Sequence, residues 1–166
     1  VAGKPLLYWS LKDCVKSKKL ESFWVSSDSS KILNYAKKFG AHTILRPKKL
    51  SNHKSSSEEG WLHAIAEIEK KGFQFENILA IQATSPIRGI STFDNAIDFF
   101  ISKKYDSMFS ATPIRDYFIW QKKNFKLYPN YNYKNRLPRQ YIKEKYLENG
   151  SFFIFKKKLF NKKKCR

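Results

Sequence analysis

Gln82, Thr84, Ser85 and Arg88 fall within seven residues of one another, directly behind the apolar run Ile78, Leu79, Ala80 and Ile81. An amide that both donates and accepts, two hydroxyls and a planar guanidinium fork make a set suited to a ligand carrying carboxylate or phosphate groups. Pro86 sets the turn between them and removes a backbone donor that would otherwise need a partner. A short apolar run ended by turn residues is the pattern of a strand buried on both faces. In open α/β sheets ligands bind beyond the carboxyl ends of such strands, which is where these four side chains would stand. The same residues also suit an ST-turn closing a strand, with Arg88 on the surface.

The flanking chain alternates helix and strand signals. Pro5 to about Lys18 carries Leu6, Leu7, Leu11, Cys14 and Val15 at helical spacing. Phe23, Trp24 and Val25 read as a short strand ending at Ser26, Ser27 and Asp28, and Asp28 or Ser29 caps a helix that Gly40 stops. His42 to Leu45 reads as a further strand, leading into Arg46 and Pro47. After a polar loop, Ser56 with Glu59 predicts a capping box for a helix from about Ser57 to Lys70, and Ser91 with Asp94 repeats the device. Strands follow at Ser107 to Ala111 and Ser151 to Phe155. Alternation of this kind with short connections implies right-handed crossovers and a parallel sheet. The stretch at about 112–148 loses periodicity and is expected to form an irregular lobe.

At 166 residues the chain suits one domain with a real core, and 16% aromatic content argues against disorder. The formal charge of +19 invites an anionic partner, yet it comes mostly from lysines spread over every segment. Arg46, Arg88, Arg115, Arg136 and Arg139 all lie beside turn signals and are the better candidates for anion contacts. Cys14 and Cys165 are too far apart to indicate a zinc site or a disulfide framework. No signal peptide or membrane-length apolar run is present, so a cytoplasmic setting is expected. The opening residues and the lysine-rich close read as the ends of a fragment, a single domain over 1–166 truncated at both ends.

Seven landmarks occur in order: VAGKPLL, VSSDS, LRP, SSSEE, IQATSPIR, PRQ and ENGSFFIF. Each is weak alone; together they resemble the acylneuraminate cytidylyltransferases over almost the whole chain. The resemblance implies a three-layer α/β/α nucleotide-binding fold with a mostly parallel sheet. It also implies attack of a sugar acid's anomeric hydroxyl on the α-phosphate of CTP, release of pyrophosphate, magnesium assistance and a homodimer. Carried over by motif, Arg46 and Ser57 would contact the nucleotide. Gln82 and Thr84 would face the acidic nine-carbon sugar, Arg139 would lie near its negative groups, and Asn149 belongs to the matching ENG turn. No catalytic residue is assigned.

Some positions depart from the family pattern. Ala83 replaces the usual proline, His53 stands where aspartate is common, and Leu147 stands where some members carry a second arginine. The family's phosphate loop and its metal-binding aspartates have no counterpart here, so the magnesium ligands are expected outside these residues and the fragment is expected to be inactive alone. Two alternatives compete: transfer to a Kdo-like acid, and a basic nucleic-acid-binding module using Tyr128, Tyr131 and Tyr133 as stacking platforms. The second leaves the order of the landmarks unexplained.

Overall fold

The computed structural model describes residues 1–114 and 119–163, without the side chains of Arg139 and Lys163. Arg115, Cys165 and Arg166 lie outside the described residues. The chain is mixed α/β and divides into two compact units, residues 1–110 with 150–166, and residues 111–149.

In the first unit, α1 spans Leu6–Lys16 and β1 spans Trp24–Ser27. α2 covers Ser30–Lys37 and β2 covers His42–Leu45. The choice of cap for α2 falls to Ser29, whose hydroxyl accepts from the Ile32 amide at 3.5 Å. Gly40 follows with φ +79°, a left-handed conformation open to glycine at no steric cost. β1 and β2 run parallel, as the alternation predicts, with Trp24 beside His42 and Ser27 beside Leu45.

A 3-10 turn at Lys48–Leu50 opens the polar loop, and α3 then runs over Ser57–Lys70. Its expected capping box is present: the Ser56 hydroxyl accepts from the Glu59 amide at 3.1 Å, and the Glu59 carboxylate accepts from the Ser56 amide at 2.9 Å. β3 is Asn77–Ile81 and α4 is Thr92–Ser102. At α4 the structure differs from expectation. Ser91 has φ +60° and makes no side-chain cap, while the Asp94 carboxylate accepts from the Ser17 hydroxyl and from the Lys18 amide at 3.1 Å. Asp94 therefore anchors the end of α1 to α4 instead of capping its own helix.

β4 spans Ser107–Ile114, β7 spans Lys145–Lys156 and α5 spans Lys157–Lys163. β7 lies between β3 and β4. It pairs with β3 antiparallel, Ile78 opposite Phe155 and Ile81 opposite Phe152, so the parallel neighbour expected for β3 is not the one beside it here. Alternation along β7 sends side chains to opposite faces. Phe152 and Ile154 join Cys14, Phe93 and Phe100 in one cluster, whereas Phe153 and Phe155 join Ile65, Ala80 and Phe160 in another. A third cluster of Leu11, Ala36 and Ala41 packs under β1.

The second unit is not irregular throughout. β5 (Trp120–Lys123) and β6 (Lys126–Pro129) form an antiparallel hairpin. Its turn residues Asn124 and Phe125 both have positive φ, the twist that suits a two-residue hairpin loop. Tyr131 meets Trp120 edge to face at 6.1 Å, a packing contact within the unit.

Candidate functional site

The polar groups expected at the site fall into local clusters built by different elements. The first is centred on Arg46, just beyond β2. The Arg46 amide donates to the Ser27 carbonyl at 2.9 Å, which extends the β1–β2 ladder by one residue and brings Arg46 to the carboxyl end of β1. Its Nε donates to the Ser51 hydroxyl at 3.0 Å, and that hydroxyl donates to the Pro47 carbonyl at 3.3 Å. Among the described residues the terminal guanidinium nitrogens of Arg46 have no acceptor. The guanidinium lies against the first turn of α3, where a β-carbon on Gly60 would stand 3.0 Å from Nη1. Ser57 opens that turn three residues earlier and is exposed. Residues three apart share a helix face, so Ser57 and Gly60 present the same side of α3. His53, in the preceding loop, is exposed.

The second cluster is centred on Gln82, immediately after β3. Its amide donates to the Ser151 carbonyl at 3.2 Å. Its carbonyl accepts from the Ser85 amide at 3.4 Å and from Arg88 Nη2 at 3.0 Å. The side-chain amide lies across Gly150, where a β-carbon would come within 3.1 Å of Gln82 Oε1. Gly150 has φ +65°, so within β7 it supplies a left-handed backbone conformation and the space for Gln82 together. Ser85 is half-buried and Thr84 is exposed.

Arg88 is a correction. The alternative that placed it on the surface does not hold: its side chain is 1% exposed. Nε donates to the Ser151 hydroxyl at 2.9 Å, and Nη1 donates to the Ser10 hydroxyl at 3.2 Å and to the Asp13 carboxylate at 3.4 Å. Nη2 donates to the carbonyls of Gln82 and Ser151 at 3.0 and 3.1 Å. These interactions employ all five N–H groups of a guanidinium. The plane also packs 5.2 Å from the Phe93 ring. Burial pushes the Arg88 pKa down, and the nearby Asp13 carboxylate opposes that shift. Arg88 also borders a cleft of about 680 Å³ between α1 and residues 86–94, lined by Trp9, Lys12, Ile87 and Ile90; Gln82 is not part of that lining.

In the second unit, Asn149 Nδ2 donates to the Thr112 hydroxyl at 3.1 Å. Arg139 begins a 3-10 turn, Arg139–Tyr141, and its side chain lies outside the described residues. Leu147 is exposed. Among the described residues no three His, Cys, Asp or Glu side chains converge in a way that could hold a metal ion. No helix among them is long and apolar enough to cross a membrane.

Sequence reasoning missed Ser10, Asp13 and Ser151, because each acquires its role only by meeting Arg88. Gly60 and Gly150 carried a readable signal. A glycine inside a helix, one turn after a candidate binding serine, and a glycine inside a family turn both mark places where another group approaches the backbone closely.

A family model described as "Cytidylyltransferase" matches residues 1–165. The chain is similar to the N-acylneuraminate cytidylyltransferase of Oncorhynchus mykiss, 34% identical over 93% of this chain and 36% of that protein. It is also similar to N-acylneuraminate cytidylyltransferase A of Danio rerio, 33% identical over 96% of this chain and 37% of that protein. The pseudaminic acid cytidylyltransferase of Campylobacter jejuni subsp. jejuni serotype O:23/36 (strain 81-176) is 26% identical over 92% of this chain and 67% of that protein. The chain thus spans a little over a third of the length of the first two of these relatives.

Proposed function

This chain belongs to the cytidylyltransferase family, and on that premise we propose that it forms the nucleotide- and sugar-binding part of an enzyme that transfers CMP from CTP to a sialic-acid-like nonulosonic acid. In this reading pyrophosphate is released, and the activated sugar serves cell-surface glycan synthesis, as in lipopolysaccharide or capsule. The enzyme works in the cytoplasm as a homodimer, with magnesium held by carboxylates outside these residues and no nucleic acid or membrane as partner. Arg46 and Ser57 contact the nucleotide, and Gln82, Thr84, Ser85, Arg139 and Asn149 serve the sugar acid. Relatives named for N-acylneuraminate and for pseudaminic acid support an acidic nine-carbon sugar over a Kdo-like acid.

The observation that supports this reading most is the contrast between two arginines. Arg88 has every donor engaged inside the fold, whereas among the described residues the Arg46 side chain is held by Nε alone and offers its terminal nitrogens at Gly60, on the α3 turn that Ser57 opens. Cytosine presents ring-nitrogen and carbonyl acceptors that a guanidinium held in this way can satisfy. Calorimetric titration with CTP, with ATP as competitor, tests it. CTP-selective binding that is lost in Arg46→Ala is expected. Equal binding of both nucleotides, indifferent to Arg46 and abolished by salt, would assign the affinity to the surface lysines and overturn the site.

A further inference from the structure

We propose that Arg88 and Gly150 are positioning residues for Gln82: Arg88 fixes its main chain from the interior and Gly150 fixes the lie of its side-chain amide. The proposal rests on the reading that Gln82 faces the sugar acid, and assigns roles to two residues that would not themselves touch it.

The main-chain part is a closed circuit. The Gln82 amide donates to the Ser151 carbonyl, and Arg88 Nη2 donates to the carbonyls of both residues. A single nitrogen therefore locks the end of β3 to β7 at the residue where the ladder stops and the turn begins. The remaining donors carry the lock to α1 through Ser10 and Asp13, at 3.2 and 3.4 Å. Buried hydrogen bonds to a charged group are stronger than neutral ones, and a buried charge that loses its partner is costly. The circuit thus resists any shift of Gln82 along or away from β3.

The side-chain part is steric. With φ +65° and no β-carbon, Gly150 lets Gln82 Oε1 rest over its α-carbon. An added methyl would meet Oε1 at 3.1 Å, so the amide oxygen would have to give by a few tenths of an ångström, while Cδ at 3.9 Å would be in ordinary contact. An amide oriented to donate and accept toward hydroxyls and a carboxylate loses that match when it rotates. Displacement of a binding group by an ångström costs up to about a hundredfold in rate.

The test is a set of kinetic cycles in the intact protein, measuring kcat and the KM for sugar acid and for CTP separately. Gly150→Ala is expected to raise the KM for the sugar acid about tenfold or more with the KM for CTP unchanged, and to add little in a Gln82→Ala background. Arg88→Lys, which keeps the charge and loses the fork, is expected to give the same selective pattern and the same loss of effect in Gln82→Ala. To separate positioning from any loss of stability, the Gln82 side-chain amide resonance, assigned by its disappearance in Gln82→Ala, is followed by NMR in the folded fraction and is expected to shift in both. If Gln82→Ala raises the KM for sugar acid while the other two variants act additively with it and leave the resonance in place, the positioning roles are overturned and the site reading stands. If Gln82→Ala itself leaves that KM unchanged, both fall.

Discussion

Gly60 on α3 occupies a point where a β-carbon would stand 3.0 Å from Nη1 of Arg46, so the absence of a side chain on the helix is what lets the guanidinium lie against its first turn. Gly60 has ordinary helical geometry, and glycine there costs about 0.8–1 kcal/mol relative to alanine. Gly60→Ala is therefore expected to raise the melting temperature by a few degrees while displacing Arg46 by some tenths of an ångström. CTP affinity should fall about threefold to tenfold, the worth of one or two hydrogen bonds. Thermal unfolding and calorimetry on the same sample check both halves. A variant that is more stable and binds CTP unchanged would remove Arg46 from the nucleotide site.

Asp94 joins α4 to the end of α1 through Ser17 and Lys18, and the Ser17 hydroxyl bond, followed by that of the Lys18 amide, holds its carboxyl below the usual aspartate value. A depressed carboxyl stabilises the fold above its unfolded pKa and loses that contribution as pH falls through the folded one. Asp94→Ala should thus be destabilising at pH 7, with the gap to wild type narrowing below about pH 4. Denaturant unfolding from pH 7 to pH 3 reads this. A gap that stays constant across the range would show that the carboxylate charge is not what ties the helices.

Cys14 is buried in the cluster with Phe93, Phe100 and Phe152. Burial pushes its thiol from 9.0 up to about 12, against the pull of nearby Arg88. The thiolate is the reactive form. Peptide mapping after iodoacetamide treatment at pH 8 should find Cys14 unmodified in the folded protein and modified once denaturant is added. Above pH 9.0 the unfolded chain releases this proton and the folded one keeps it, so the folded state binds more protons. Stability should fall with rising pH between 9.0 and about 12, by about 1.4 kcal/mol per unit from this group, and Cys14→Ala should remove that share of the slope. Rapid alkylation without denaturant would contradict the burial.

Much of the first unit was legible because its signals are short-range. The capping box of α3 needs only Ser56 and Glu59, three residues apart, and the stop at Gly40 needs only a left-handed residue after α2. The identical reading failed at α4, where Ser91 and Asp94 have the same spacing. There a distant pair, Ser17 and Lys18, competed for the carboxylate and prevailed. The partner of β3 was illegible for a related reason. An apolar run says that both faces are covered, and both are, but it is silent on which strand lies alongside or in which direction.

The sequence by itself determined the helices and strands of the first unit to within a few residues, the α/β class and the family, since periodicity, caps and the order of motifs are properties of neighbouring residues. It could not separate Arg46 from Arg88, because both follow strands, both stand beside proline turns and both suit an anion. Only the tertiary structure decided between them. It brought Ser10, Asp13 and Ser151, between 63 and 78 residues away in the chain, against the donors of Arg88, and left the terminal donors of Arg46 beside a helix turn that lacks a side chain. Whether a guanidinium is structural or available depends on where its acceptors come from, and acceptors that distant meet only when the chain has folded.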